Sequence, residues 1–293
     1  MRTTAFVVLL SLLSGPALLA NAASAPSVSA IPTPPSRTLS RRTDSSRKGG
    51  HLLNPVDVNL KAIKGAPVVP MTNAQRLRRG LSPNRPSFYR SAQSLTARAS
   101  PIPDPNPGCT TRTGTLLVSG AGVPSGAIVS RIPNDFGEYG ITTDAADALQ
   151  IQYADCGNNQ PVDLVTLNGI ADFTFFGGIT GFASTSPDLD PGSTNYAYIG
   201  GVTPTAPRSP PEPAANSFTF ATGTQEDIES AIWRVNGADG AVTAQWFNFD
   251  GGMPATDIVY YEPEDFLLLS GDAAAFGAEY GASGVVALTF VQV

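Results

Sequence analysis

The chain of 293 residues has a single histidine, His51, and no lysine beyond Lys64. From residue 108 onward this excludes a Ser-His-Asp or Cys-His arrangement, a lysine Schiff base and a histidine-rich metal site. No cofactor motif is present, so no cofactor is expected. Cysteine is almost as scarce, with only Cys109 and Cys156. With no histidine to activate a thiol and an exported chain, the two are expected to form one disulfide. Asn-x-Ser/Thr sequons are absent, which argues against N-glycosylation but leaves O-glycans open.

Long apolar runs are limited to one, "AFVVLLSLLSGPALLA", which follows Arg2 and leads into the small-residue stretch "NAASA". It is short for a bilayer span and is interrupted by Gly15 and Pro16. Residues 1–22 therefore read as a secretory signal peptide cut near Ala22, and the mature product as a secreted, extracellular protein with no membrane attachment.

Charge divides the chain in two. Residues 1–100 carry a net +12 and residues 101–293 a net −18. Aromatic residues divide the same way, since between 23 and 107 only Phe88 and Tyr89 occur, among 13 prolines. Residues 23–107 thus read as a disordered basic, Pro/Ser-rich segment and a candidate propeptide, unable to bury enough apolar surface to offset ordering entropy. Its basic stretch "MTNAQRLRRGLSPNRP" supports three readings: a spacer, a processing site, or a brief helix presenting Leu77 and Leu81 to a partner. Arg41-Arg42 and Arg78-Arg79 are the candidate processing pairs.

Residues 108–293 change in texture, with short β-branched and aromatic runs between Gly, Pro, Asn and Asp. Twelve stretches read as strands, "NSFTFAT" and "AVTAQWFNF" among them. They predict an all-β fold, an antiparallel sandwich or barrel of about ten to twelve short strands in one domain. Residues 203–215, "TPTAPRSPPEPAA", read as a surface loop inside that domain. Helix is expected only at "DAAAFGAEYG", capped by Asp272 and ended by Gly281.

What chemistry remains rests on carboxylates, hydroxyls and amides. Glu226, Asp227, Glu229, Glu262, Glu264 and Asp265 cluster in "GTQEDIESAIW" and "YYEPEDF", where a pair of acids would suit glycoside hydrolysis. Solvated loop acids are the plainer reading. Asp188 and Asp190 in "SPDLDPGSTN" lack the spacing of an EF-hand loop, so a turn is expected there and no metal. Trp246, with Asn248 and Asp250 after it, forms the candidate ligand face, an aromatic plane beside an amide and a carboxylate. The competing reading makes Trp246 a core residue.

The strings "PMTNAQRLRRGL", "FGEYGITT", "STNYAYIGG", "EDIESAIWRVN", "VTAQWFNFDG" and "VVALTFVQV" resemble a group of secreted proteins of unknown function from basidiomycete fungi. The resemblance implies secretion and the two-part layout, and it brings no activity, fold or site residue with it. Three functional classes follow: a non-enzymatic extracellular binding or surface module for carbohydrate or cell wall, a carboxylate-dependent glycoside hydrolase, and a structural or host-interaction protein that binds another protein. Negative charge and missing lysine in residues 108–293 argue against nucleic acid. N-terminal sequencing of the secreted product should begin near Ala23 if only the signal is removed, and at Thr43 or Gly80 if the dibasic pairs are cut. A mature start upstream of Thr43 as the sole species rules out cleavage at both pairs.

Overall fold

Threonines and Val118, all β-branched, make up nearly half of "TTRTGTLLVSG", and this stretch forms the long strand β1 (Thr110–Gly120). In the computed structural model the described residues are 52–65, 108–158 and 160–293, all within one compact unit, Gly49–Val293. The signal peptide, His51, Arg41, Arg42, Arg78 and Arg79 lie outside the described residues.

After β1 come β2 (Ile128–Pro133), β3 (Tyr139–Thr142), β4 (Gln150–Asp155), β5 (Leu164–Thr166), β6 (Phe175–Thr180) and β7 (Tyr196–Val202). Then follow β8 (Glu212–Pro213), helix α1 (Ser217–Thr222), β9 (Asp227–Glu229), β10 (Trp233–Val235), β11 (Ala241–Ala244), β12 (Asp257–Tyr261), β13 (Phe266–Ser270), helix α2 (Ala273–Tyr280) and β14 (Ser283–Gln292). The order β1-β14-β12-β13-β7-β6-β5-β4 returns to β1, so eight antiparallel strands close into a barrel. Of the two expected all-β architectures, the barrel is the one formed. Closure rests on the first and last strands, paired from Gly114↔Gln292 to Gly120↔Val286.

Side-chain parity sorts the walls into two cores. Leu116, Ile151, Leu164, Phe176, Ile199, Leu267, Leu269 and Leu288 face one way and fill the barrel with Trp233 and Trp246. Tyr196, Tyr198, Val259, Phe266 and Leu268 face the other way, outward, where α1 and α2 add Phe218 and Phe276. This is why every residue of β7 and β13 is buried. Gly178 sits where the Trp246 ring crosses β6, and a Cβ there would lie 2.4 Å from the indole.

Cys109 and Cys156 form the expected disulfide, across a sequence separation of 47. It ties the chain just before β1 to the chain just after β4, continuing the β1–β4 ladder that ends at Thr110↔Asp155. Helix α2 is capped as expected: Asp272 accepts from Ala275 N, and Gly281 ends it with its N–H on the Gly277 carbonyl.

Three segments depart from the sequence reading. "NSFTFAT" is helix α1, because Asn216 Oδ1 caps Thr219 N at 2.7 Å and Gly223 ends the turn in the left-handed region. The aromatic pattern that suggested a strand instead buries Phe218 in the outer core. "AVTAQWFNF" stays a strand only to Ala244. Beyond it, Trp246 N bonds Thr256 Oγ1 at 3.2 Å and Phe247 N bonds the Glu229 carboxylate at 3.1 Å, so side chains replace the ladder. The third departure is residues 52–65, assigned by composition to the disordered segment, which are packed on the barrel with Leu53 fully buried.

Replacing both cysteines by serine removes a cross-link that closes a loop of about 48 residues, worth about 4 kcal/mol on the chain-entropy estimate. Urea unfolding of the double variant is expected to show a midpoint lowered to match, and an unchanged midpoint would show that the β1–β4 ladder holds this edge alone.

Candidate functional site

The candidate ligand face does not form a face. Trp246 is fully buried and its indole N–H donates to the Pro187 carbonyl at 2.9 Å. Asn248 is buried too; it accepts from Leu189 N at 3.0 Å and donates to Asp190 Oδ1 at 2.8 Å. Asp250 is exposed and turns the loop by accepting from Gly252 N at 2.7 Å. Asp188 accepts from Phe249 N at 2.8 Å, so both acids of "SPDLDPGSTN" brace loops. Among the described residues no group of three acids, histidines or cysteines is placed to hold a metal ion.

The two acidic clusters of the sequence are dispersed. Glu229 is buried beneath Phe247, whose N–H contacts both carboxylate oxygens at 3.1 and 3.2 Å, and burial pushes its pKa up to about 9. Asp265 accepts from Ile141 N at 3.2 Å and from the Tyr260 hydroxyl at 3.0 Å. Glu264 meets a second carboxylate, and that partner, Glu138, was not among the sequence candidates. One amide joins them: Asn54 Nδ2 donates to Glu264 Oε2 at 2.8 Å and to Glu138 Oε2 at 3.3 Å.

Glu138 is completely buried and sits at the end of a tight turn. Asn134 Oδ1 accepts from both Phe136 N and Glu138 N, and Asn134 Nδ2 donates to Glu138 Oε2 at 2.6 Å. Burial, with the nearby Glu264 charge adding to it, pushes the Glu138 pKa up to about 8 against the two amide bonds that oppose it. At neutral pH it is mostly a carboxylic acid. That form suits its surroundings, because Glu138 Oε1 is buried with no donor to it, and a neutral acid avoids leaving an ionised oxygen unpaired there.

Next to this group lies the Leu53 pocket. The hydroxyls of Tyr196 and Tyr198 stand 3.2 Å apart and both donate to the Leu53 carbonyl, Tyr196 at 2.9 Å. The same hydroxyls accept from Ala183 N and Phe182 N at 3.3 and 3.2 Å, which fixes the direction of each bond. Farther along, Lys61 N donates to the Ala221 carbonyl at 2.9 Å, and the Lys61 ammonium lies 5.7 Å from the centre of the Phe220 ring. Ile63 packs on the inner core, and Ala171 N donates to the Lys64 carbonyl at 2.9 Å.

Open concavities lie elsewhere, at the disulfide edge. One, of about 440 Å³, is lined by Gln152, Tyr153, Gln160, Val162, Asp163 and Phe175 among others. A second, of about 250 Å³, adjoins it through Tyr153 and presents Arg112, Asp155, Asn236, Asp239 and Phe290. Tyr153 and Phe290 meet edge-on, with centroids 5.1 Å apart. Asp163 accepts from Ser230 Oγ at 2.6 Å, and burial raises its pKa. Arg112 pairs with Asp155 at 3.3 Å across the β1–β4 ladder.

Comparison with protein-family models, with curated proteins and with solved structures returns no match. The geometry of the site is therefore the whole basis for a functional reading.

Glu138 titrates near 4.5 in an unfolded chain and near 8 when folded. The folded protein thus keeps a proton that the unfolded chain releases between those values, so stability from this group is full below pH 4.5 and declines as pH rises to 8. Glu229 acts in the same sense up to about 9. Urea midpoints measured from pH 4.5 to 8.5 should fall, and Glu138→Gln, neutral at every pH, should flatten the slope. An identical slope in the variant would refute a protonated Glu138.

Proposed function

We propose that the protein is a secreted, non-enzymatic binding module that takes an extracellular carbohydrate or cell-wall polymer along the open groove beside Cys109–Cys156. The observation that carries the reading is the make-up of that groove. Amide and carboxylate side chains, Gln152, Gln160 and Asp163, stand over the half-buried ring of Phe175 and the Val162 and Val165 side chains. Such a surface matches sugar hydroxyls with polar groups and sugar C–H faces with apolar ones. The disulfide, compatible with an oxidising extracellular compartment, holds one wall in place before any ligand arrives.

A second reading, the carboxylate-dependent glycoside hydrolase, has one observation on its side. Glu138 and Glu264 share one amide donor, so their oxygens lie within about 6 Å of each other, near the roughly 5 Å separation of retaining glycosidases. Against it, Asn54 and Leu53 fill the space that a sugar would need. Glu138, the acid of this pair with the raised pKa, lines neither groove.

A polysaccharide array probed with the purified protein, paired with a reducing-sugar assay, separates these readings. Binding without sugar release is expected, with at least tenfold weaker binding for Gln152→Ala/Asp163→Asn at unchanged melting temperature. Sugar release would replace the binding module by the hydrolase. Neither binding nor release would leave the protein-partner class.

A further inference from the structure

The outer face of the barrel carries a cleft already filled by a peptide. Its walls come from β7, β13, α1 and α2, whose Tyr198 lies 145 positions along the chain from the Leu53 it contacts. The contacts have the anatomy of a bound ligand. At one end Leu53 enters the pocket of Tyr196, Tyr198, Phe218, Phe266 and Phe276, its carbonyl receives two phenol protons, and Asn54 bridges two carboxyl groups. At the other end Ile63 is inserted beside Gly137, and Gly65 pairs with Ile170 as a one-residue antiparallel bridge. Between the anchors Val56 and Leu60 are exposed. The stretch bends at residues 53–54 and 56–57, with Asp57 at φ 60°, and is held by side-chain anchors at both ends, a recurring mode of peptide recognition.

A second observation is independent of those contacts. The barrel closes entirely among strands from residues 110 to 292, and residues 52–65 supply none of its eight strands. The segment covers a finished wall and is not needed to close it. In the sequence, Arg78-Arg79 falls between this segment and β1, so a cut there would leave the peptide and the barrel as two chains.

We propose that this cleft is a peptide-binding site, that its resident ligand is the chain's own Leu52–Gly65, and that the peptide stays seated as a separate chain once the connection is cut. The ligand class is a peptide bearing a bent Leu-Asn-Pro step. Leucine is selected by the aromatic pocket. Asparagine is selected because its amide donates to two carboxyl groups; aspartate in its place would set a third carboxylate against Glu138 and Glu264. Proline, also buried, has no N–H to leave unpaired.

The test uses the full mature chain with a unique protease sequence inserted after Arg90. After cutting, native size exclusion with mass spectrometry should find both fragments together at the mass of one barrel. A fluorescent synthetic peptide of residues 50–66 in excess should then exchange into the complex. Asn54→Asp and, separately, Leu53→Asp should speed release at least tenfold. Trp233 and Trp246, both in the inner core, report the fold, and their emission should stay unchanged throughout. Three results would overturn the proposal: a peptide of the unsubstituted protein that elutes alone directly after the cut, a peptide that leaves only as tryptophan emission shifts to the unfolded value, or a complex with the mass of two barrels, which would show seating between copies. Asn54→Asp, which conserves volume, keeps the test decisive if Leu53→Asp does not fold.

Discussion

Everything in this fold depends on the pairing of the first strand with the last. Seven residue pairs, from Gly114↔Gln292 to Gly120↔Val286, join β1 to β14 and turn a curved sheet into a closed barrel. Closure removes the open edges of those eight strands and gives each wall a sealed inner face. It also makes the outer face of β7, β13 and β12 a problem. Tyr196, Tyr198, Val259 and Leu268 point out of the barrel and need cover. Two short helices supply part of it, and the stretch around Leu53 supplies the rest.

The extent to which this could be read from sequence follows from the range of the forces involved. The disulfide, the all-β class and the Asp272-capped helix were legible because each depends on local pattern or on there being only two cysteines. "NSFTFAT" misled because its alternation fits a strand, while the frame around it, the Asn216 cap and Gly223 as stop, decides for helix. Trp246 was legible as either core or ligand face, and only the crossing over Gly178 settles it as core. The Leu53 segment was hidden by averaging. Basic, proline-rich surroundings dilute "LLNPVDVNLKAI", although its Val56, Val58 and Leu60 alternate as an extended strand would. Glu138 carried a faint signal, an acid set between Gly137 and Tyr139 in "FGEYG", whose meaning depends on Asn54, 84 positions away.

The same arrangement orders the functional readings. Polar side chains over half-buried rings face solvent at the disulfide edge, where a ligand can approach without displacing any part of the described chain. The carboxyl pair that would suit hydrolysis is instead bridged by Asn54 and is partly neutral, because burial pushes the Glu138 pKa up to about 8. The Glu138–Glu264 group thus lines neither of the open grooves.

The central claim is that Leu52–Gly65 belongs to the folded unit, and the methyl groups of Leu53 test it most directly. In a carbon-proton correlation spectrum of the mature full chain, assigned by Leu53→Val, both methyls are expected well upfield of the usual leucine position, shifted by the surrounding rings, with nuclear Overhauser contacts to aromatic protons of Tyr198 and Phe276. Leu53 methyls at the random-coil position with no aromatic contacts would contradict the account.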